Sequence, residues 1–113
     1  MKAIQLRGYG GVDQLHVVDA EPPLPAEEEV LVEVHAAGVT LTDVYIRLGY
    51  FDGVWGLKPP LIPGWDYAGI VQKVGAAVQR FRPGDRVFGM RNAQGAQAQF
   101  LTAGPENISH IPE

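Results

Sequence analysis

The stretch PGWDYAGIVQKVGAAVQRFRPGDRVFG, residues 63–89, decides the fold of this chain. It holds two Pro-Gly pairs, Pro63-Gly64 and Pro83-Gly84. These pairs suit type II turns, because proline fixes φ at one position and glycine takes a positive φ at the next. After the first turn DYAGIVQKVG is typical of a strand, and after the second RVFGM is typical of another. The stretch therefore predicts short strands joined by tight turns.

Strand patterns continue on both sides of this stretch. They are KAIQL (2–6), QLHVVDA (14–20), EVLVEVHAAGV (29–39), GAQAQFLTA (95–103) and NISHIPE (107–113). The pattern is strongest in EVLVEVHAAGV, where Val30, Val32 and Val34 share one face. Many short strands and Gly/Pro turns predict a mainly β fold, a partly open barrel or partly closed sandwich with short helices.

One short helix is expected in GVTLTDVYIRLG, from Gly38 to Gly49. Thr40 suits the N-cap, and Asp43 stands at the third helical position, where its carboxylate can complete a capping box. Gly49 suits the C-terminal stop. Capping and turn roles are also the simplest account of the two carboxylates Asp43 and Asp66. The next sixteen residues, 50–65, form an aromatic, Gly/Pro-rich loop of a length that is usually functional or mobile.

Composition excludes several classes of function. The net charge is -4 and no basic run occurs, so a nucleic-acid surface is not expected. The chain has no cysteine, which removes disulfides, thiolate metal sites and a cysteine nucleophile, and is compatible with a reducing cytoplasm. No apolar stretch approaches the roughly 20 residues of a membrane span. The start of the chain also lacks the apolar core of a signal peptide.

Motifs for common chemistries are missing from the sequence. No G-x-G-x-x-G occurs, and the glycines with P-loop spacing, Gly64 and Gly69, are followed by Ile70 and Val71 instead of Lys and Ser/Thr. We therefore expect no dinucleotide-binding fold in this chain.

Metal and nucleophile patterns are missing as well. The three histidines, His16, His35 and His110, are too widely spaced to predict a metal site. Ser109, the only serine, precedes His110 in an expected strand, so the two side chains point to opposite faces.

An aromatic cluster remains, on the helix and the loop that follows it. Tyr45, Arg47, Tyr50, Phe51 and Trp55 provide ring faces and polar tips. Such a cluster suits a flat conjugated ligand. Ordinary core and rim packing explains it equally well from these residues alone.

Residues 63–89 resemble the signature of the medium-chain dehydrogenase/reductase superfamily, within its N-terminal GroES-like catalytic domain. EVLVEVHAAGVTLTDVYIRLGYF, residues 29–51, is a second matching block. The resemblance covers essentially the whole chain and implies that residues 1–113 form one GroES-like domain. In this superfamily a Rossmann domain binds the cofactor, and we expect that domain to be absent from this chain, which stops at HIPE.

Substitutions within the resemblance indicate the branch. Zinc alcohol dehydrogenases would have Cys at position 40 and His-Glu at 65 and 66, where this chain has Thr40, Trp65 and Asp66. The resemblance therefore implies a site without zinc. DVYIRLGYF is similar to the quinone oxidoreductase branch, in which a tyrosine on this helix lines the site shared by NADPH and substrate. That branch often has Asn at position 40.

The resemblance also implies the site residues and the reaction. Thr40 and Tyr45 would be catalytic, and Asp43, Arg47, Tyr50 and Trp65 would line the substrate and cofactor pocket. NADPH would donate a hydride to a quinone or enone. Gln97 and Gln99 replace the Tyr and Glu that are frequent in the family, and the sequence explains neither change.

Two expectations concern the chain by itself. As one half of a two-domain enzyme it would be inactive alone, and its uncovered Rossmann-facing surface would allow weak self-association. The alternative is a free-standing GroES-like binding or assembly module without enzymatic activity.

Overall fold

The structure is a computed structural model that describes residues 1–91 and 94–113. Its fold is mainly β, as predicted. The strands are β1 (Lys2–Leu6), β2 (Leu15–Asp19), β3 (Val30–Ala37), β4 (Asp66–Val74), β5 (Arg86–Met90), β6 (Phe100–Ala103) and β7 (Ile108–His110). The α-helix, α1, is Leu41–Leu48, and short 3-10 turns lie at Val12–Gln14, Val54–Gly56 and Pro105–Asn107. Within the described residues, no helix has the length and apolar character needed to cross a bilayer.

The strands form two antiparallel sheets that do not close on each other. β1 pairs with β2 in a hairpin, and the larger sheet has the order β6-β3-β4-β5-β7. Isolated bridges tie the hairpin to the rest of the chain, from Ala3 to Ala98 and from Leu6 to Leu61. This arrangement confirms the predicted partly open barrel.

The core is centred on β3, the strand with the strongest sequence pattern. Val30 and Val32 are buried as their shared face predicts, and they belong to the same apolar cluster as Val71, Val87 and Leu101. Leu31 points to the other face and is buried as well. The start of β3 is therefore covered on both sides.

Two examples, Gly84 and Gly69, show how the backbone of the 63–89 stretch requires glycine. Gly84 has φ 96° in its turn, where the Asp85 N–H donates to the Arg82 carbonyl at 3.1 Å. At Gly69, in β4, a Cβ atom would overlap the carbonyl oxygen of Glu33 on β3. The first glycine permits the predicted turn, and the second permits the close approach of β3 and β4.

The predicted strand at residues 95–103 is shorter than expected, since β6 begins only at Phe100. The residues before it bond to two different partners. The Gln97 N–H donates to the Pro63 carbonyl, while the Gln97 carbonyl accepts from the Ile4 N–H on β1. This divided bonding ties β1 to the loop before β4, and one further bond, from the Val34 N–H to the Gln99 carbonyl, extends the pairing with β3.

Candidate functional site

Helix α1 is fixed at both ends by the residues that the sequence singled out. The Thr40 N–H donates to Asp43 Oδ2 at 2.9 Å, and the Asp43 N–H donates to Thr40 Oγ1 at 3.4 Å. Gly49 closes the helix with φ 94°, and its N–H donates to the Ile46 carbonyl. The predicted capping box and glycine stop are both confirmed. These bonds fix both ends of the helix and therefore the directions in which its side chains point.

The closing turn of α1 brings Tyr45 and Tyr50 together. The Tyr50 N–H donates to the Tyr45 carbonyl at 3.1 Å. The two rings stack with their centroids 5.6 Å apart and an angle of 28° between their planes. Tyr45 is 39% exposed and Tyr50 is 70% exposed. The pair therefore presents aromatic surface and hydroxyl groups to solvent.

Trp65 belongs to a second aromatic group, formed by the loop after α1. Phe51 stacks on Trp55 at 5.4 Å, and Trp55 meets the edge of Trp65 at 5.5 Å. Trp55 has φ 54° and is 59% exposed. Trp65 Nε1 is buried without a hydrogen-bond partner among the described residues. The aromatic residues of the predicted cluster thus divide into the pair of Tyr45 and Tyr50 and the pair of Phe51 and Trp55, and Trp65, which was not in the predicted cluster, joins the second pair.

Asp43 and Arg47 line a cleft between α1 and the β1–β2 hairpin, and neither tyrosine of the pair lines it. Asp43 is 9% exposed and is held by the capping box. Arg47 Nη1 donates to the Gly10 carbonyl at 2.6 Å, and the Gly10 N–H donates back to the Arg47 carbonyl at 2.9 Å. Of the four residues assigned to the substrate and cofactor pocket, Asp43 and Arg47 line this cleft, and Tyr50 and Trp65 do not.

Asp66 lies against the backbone of Gly38, just after β3, where its carboxylate occupies the space of an added Cβ. No group of three His, Cys, Asp or Glu side chains that could hold a metal occurs in residues 1–91 and 94–113. Two of the histidines contact carboxylates, His35 with Glu33 at 2.9 Å and His110 with Asp85 at 3.1 Å.

The structure shows side-chain contacts of Tyr9, Gln97 and Gln99 that were not predicted from the sequence. The hydroxyl of Tyr9 donates to Asp52 Oδ1 at 2.6 Å, and this bond to a carboxylate raises the pKa of Tyr9 to about 12. The Gln99 side chain accepts from the Lys2 N–H at 2.7 Å, and the Gln97 amide donates to the Gly38 carbonyl at 3.4 Å. All three contacts join distant segments, so no local pattern indicates them.

Comparison with known proteins supplies the family context. The family described as "Alcohol dehydrogenase GroES-like domain" matches residues 26–113. Quinone oxidoreductase of Sus scrofa is 38% identical over 116 aligned positions, which cover 100% of this chain and 34% of that protein. The Mus musculus quinone oxidoreductase is 39% identical with the same coverage. The chain thus spans about a third of the length of these curated relatives.

Solved structures agree with the sequence comparison. The human synaptic vesicle membrane protein VAT-1 homolog-like protein superposes with a TM-score of 0.93 and 33% identity, over 100% of this chain and 36% of that one. Escherichia coli quinone oxidoreductase, solved in complex with NADPH, superposes with a TM-score of 0.90 and 33% identity, over 99% of this chain and 33% of that one.

Proposed function

The chain belongs to the alcohol dehydrogenase GroES-like domain family, and from this we propose that it is the substrate-side domain of a zinc-independent oxidoreductase. The reaction would be hydride transfer from NADPH to a quinone or enone. Quinone oxidoreductases that match the chain over its whole length support this proposal. The chain corresponds to about a third of their length. In the proposed enzyme, the cofactor would bind mainly to a part outside these 113 residues.

The observation that carries the proposal is the exposed, stacked pair of Tyr45 on α1 and Tyr50 just after it. Their stacked rings suit a flat conjugated substrate or cofactor ring, for which they would form one wall of a cleft. When bound, NADPH would supply the hydride. The chain itself would position the substrate and polarise its carbonyl group.

Thr40 and Tyr45 would polarise the carbonyl group of the substrate. The oxygen of Thr40 already accepts the Asp43 N–H, so its hydroxyl proton remains available for donation. The hydroxyl of Tyr45, on an exposed side chain, is a second donor. Both hydrogen bonds would strengthen as negative charge develops on the carbonyl oxygen during hydride transfer.

The side chains at positions 40 and 65 support zinc independence. Thr40 provides a neutral hydroxyl where a zinc enzyme would provide a thiolate. The indole of Trp65 has only an N–H donor and cannot ligate a cation. Asp66 is the remaining candidate, and one carboxylate does not make the set of three or four ligands that zinc requires.

The test is a chimera in which this chain replaces the matching N-terminal part of E. coli quinone oxidoreductase. NADPH oxidation is followed by absorbance with 1,2-naphthoquinone as substrate. We expect no turnover by the free 113-residue chain and measurable turnover by the chimera. Tyr45→Phe in the chimera should lower kcat by about a hundredfold, the usual effect of removing one oxyanion donor.

Ser109→Ala is the matched control, because it removes a hydroxyl from β7, away from α1. Unchanged turnover in both Tyr45→Phe and Thr40→Val would contradict the proposed roles. Robust turnover by the free chain would contradict the assignment of half a site to it. A stable ring of the free chain in sedimentation, together with an inactive chimera, would favour the assembly module.

A further inference from the structure

The loop after α1 contains the one aspartate of the sequence that is followed by glycine, in the pair Asp52-Gly53. Glycine has no Cβ, so its backbone nitrogen can approach the carboxyl group of the preceding residue without steric hindrance. The sequence has no Asn-Gly pair, in which a side-chain amide would be attacked in the same way. Asp52-Gly53 is therefore the place in this chain where the backbone is most open to rearrangement.

Both residues of the pair lie at the surface. The side chain of Asp52 is 51% exposed. Around Gly53, apart from its chain neighbours, none of the described residues has an atom within 4 Å of the position of an added Cβ. Water therefore reaches the carboxyl group, and the backbone has room to bend toward it.

Two hydrogen bonds hold the pair in its present form. The hydroxyl of Tyr9 donates to Asp52 Oδ1 at 2.6 Å. The Gly53 N–H, whose nitrogen would attack, donates to the Leu57 carbonyl at 2.9 Å. Lys58 also approaches Asp52 Oδ1, at 3.7 Å, through an exposed ion pair. Both hydrogen bonds must open before the nitrogen can meet the carboxyl carbon, so the rate of attack depends on how firmly the loop is held.

We propose that Asp52-Gly53 is a site of spontaneous isoaspartate formation, and that Tyr9 restrains it. The Gly53 nitrogen bonds to Cγ of the protonated Asp52 carboxyl group, whose hydroxyl leaves as water with the amide proton. Water then opens the resulting succinimide ring by breaking the bond between the Gly53 nitrogen and the main-chain carbonyl carbon of Asp52. The chain now runs through Cγ and carries a free α-carboxylate. The water lost in the first step returns in the second, and no oxidant, reductant or cofactor is consumed.

The product loses the contact with Tyr9. Isoaspartate adds a methylene group to the main chain and attaches the free carboxylate directly to Cα, so the carboxylate no longer stands where the Tyr9 hydroxyl donates. The loop that carries Tyr50 and Trp55 is then released from the turn after β1. The site lies in the backbone and is measured on the free chain, so this proposal and the proposed reaction can fail independently.

The first experiment ages the chain at neutral pH and body temperature. Isoaspartate is located by peptide mapping with electron-transfer fragmentation, and its amount is measured as methyl groups that an L-isoaspartyl methyltransferase transfers from S-adenosylmethionine. Asp13 is the internal control, because it is also exposed and the N–H after it, on Gln14, is also bonded, to the Gly11 carbonyl. We expect isoaspartate to form about tenfold faster at Asp52 than at Asp13, since Gln14 has a Cβ that hinders attack. Equal rates at the two positions would overturn the proposal.

The second experiment removes the restraint with Tyr9→Phe, which keeps the ring. Isoaspartate at residue 52 should then form on the order of threefold faster, because one hydrogen bond to the carboxylate is lost. Lys58→Met is the matched control, since an exposed ion pair to the same oxygen contributes little. A rate that is unchanged in Tyr9→Phe, or raised equally in Lys58→Met, would contradict the role of Tyr9.

The third experiment purifies the isoaspartate form and measures amide hydrogen exchange. Residues 50–56 should exchange faster than in the fresh chain, as in Tyr9→Phe, while β3 and β4 stay unchanged. If residues 50–56 keep the protection of the fresh chain, the modification does not release the loop.

Discussion

Tyr9 and Asp52 are joined by a 2.6 Å hydrogen bond although they lie 43 residues apart in the chain. The ring of Tyr9 also covers Gly49, where an added Cβ would stand 3.2 Å from it. Next to this contact, Arg47 and Gly10 exchange two hydrogen bonds. The turn after β1 therefore holds the end of α1 and the start of the aromatic loop. Because Tyr45 lies on α1 and Tyr50 begins the loop, these contacts also help to keep the two tyrosine rings together.

Removal of the Tyr9 hydroxyl should loosen the aromatic loop. In Tyr9→Phe we expect faster amide hydrogen exchange at residues 50–56, with no change in β3 and β4, because only the loop loses an anchor. Exchange is measured by mass spectrometry or NMR. Lys58→Met is the control, since Lys58 contacts the same carboxylate through an exposed pair at 3.7 Å. Equal protection of the loop in Tyr9→Phe and the unmodified chain would show that the bond does not hold it.

Tyr67 should make the fold sensitive to alkali. Burial raises the pKa of Tyr67 to about 12 from its ordinary value of 10.0. Because the folded pKa is the higher one, the stabilisation is complete below pH 10 and is lost as the pH rises to 12. The loss should be on the order of 2 kcal/mol. Urea unfolding at pH 9 and pH 11.5 tests this, and Tyr67→Phe should show a smaller change between the two conditions. An identical pH dependence in both proteins would rule out Tyr67 as the source.

Gly69→Ala should disrupt the larger sheet. Its added methyl group would meet the Glu33 carbonyl across the β3–β4 ladder, and we expect a loss of more than about 2 kcal/mol in unfolding free energy. Gly53→Ala is an informative comparison, since Gly53 has φ 73° but open space around it. Gly53→Ala should lower the unfolding free energy by about 1–2 kcal/mol, because alanine is strained at a positive φ. A Gly69→Ala protein that unfolds at the same urea concentration as the unmodified chain would refute the close-approach argument.

Thr40 should contribute to stability independently of any catalytic role. Thr40→Val keeps the shape but removes the cap acceptor, so we expect a loss of about 1 kcal/mol. Thr40→Asn restores an acceptor and should be about as stable as the unmodified chain. Chemical unfolding of the isolated chain measures both. If Thr40→Val proves as stable as Thr40→Asn, the capping bond, which is long at 3.4 Å, contributes nothing.

We also expect weak self-association through the surface that a Rossmann domain would cover, and we propose that the exposed apolar side chains of α1 and the aromatic loop are part of it. Leu41 is 65% exposed and Trp55 is 59% exposed. The sedimentation coefficient should rise with concentration, and Leu41→Ser with Trp55→Ser should abolish the rise. Val17→Ser is the control, because Val17 is 69% exposed but lies on β2. A monomer mass that is constant up to millimolar concentration would exclude the expected association.

Much of this fold could be predicted from local patterns in the sequence. The Pro-Gly turn at residues 83–84 depends on neighbouring residues alone. The cap of α1 likewise needs only Thr40, Asp43 and Gly49, which lie within ten positions. β3 was predictable because its alternation matches the burial of Val30 and Val32.

Contacts between distant segments were beyond the same reasoning. Arg47 shares α1 with Tyr45, yet its side chain bonds to the Gly10 carbonyl, 37 residues away in the chain. Residues 95–99 alternate like a strand, but their backbone groups bond to β1, to the loop before β4 and, at Gln99, to β3. Spacing along a sequence does not indicate which of several partners a segment will meet.

The central place of β3 affects when the fold can form. β3 pairs on one side with β4 and on the other with β6, where Val30 lies opposite Ala103. A ribosome must therefore synthesise almost the whole chain before the second edge of β3 finds its partner. Such non-local pairing slows folding, since a large loop must close before the contact forms. Until then β3, the strand at the centre of the core, has an open edge, and the nascent protein is most vulnerable to aggregation.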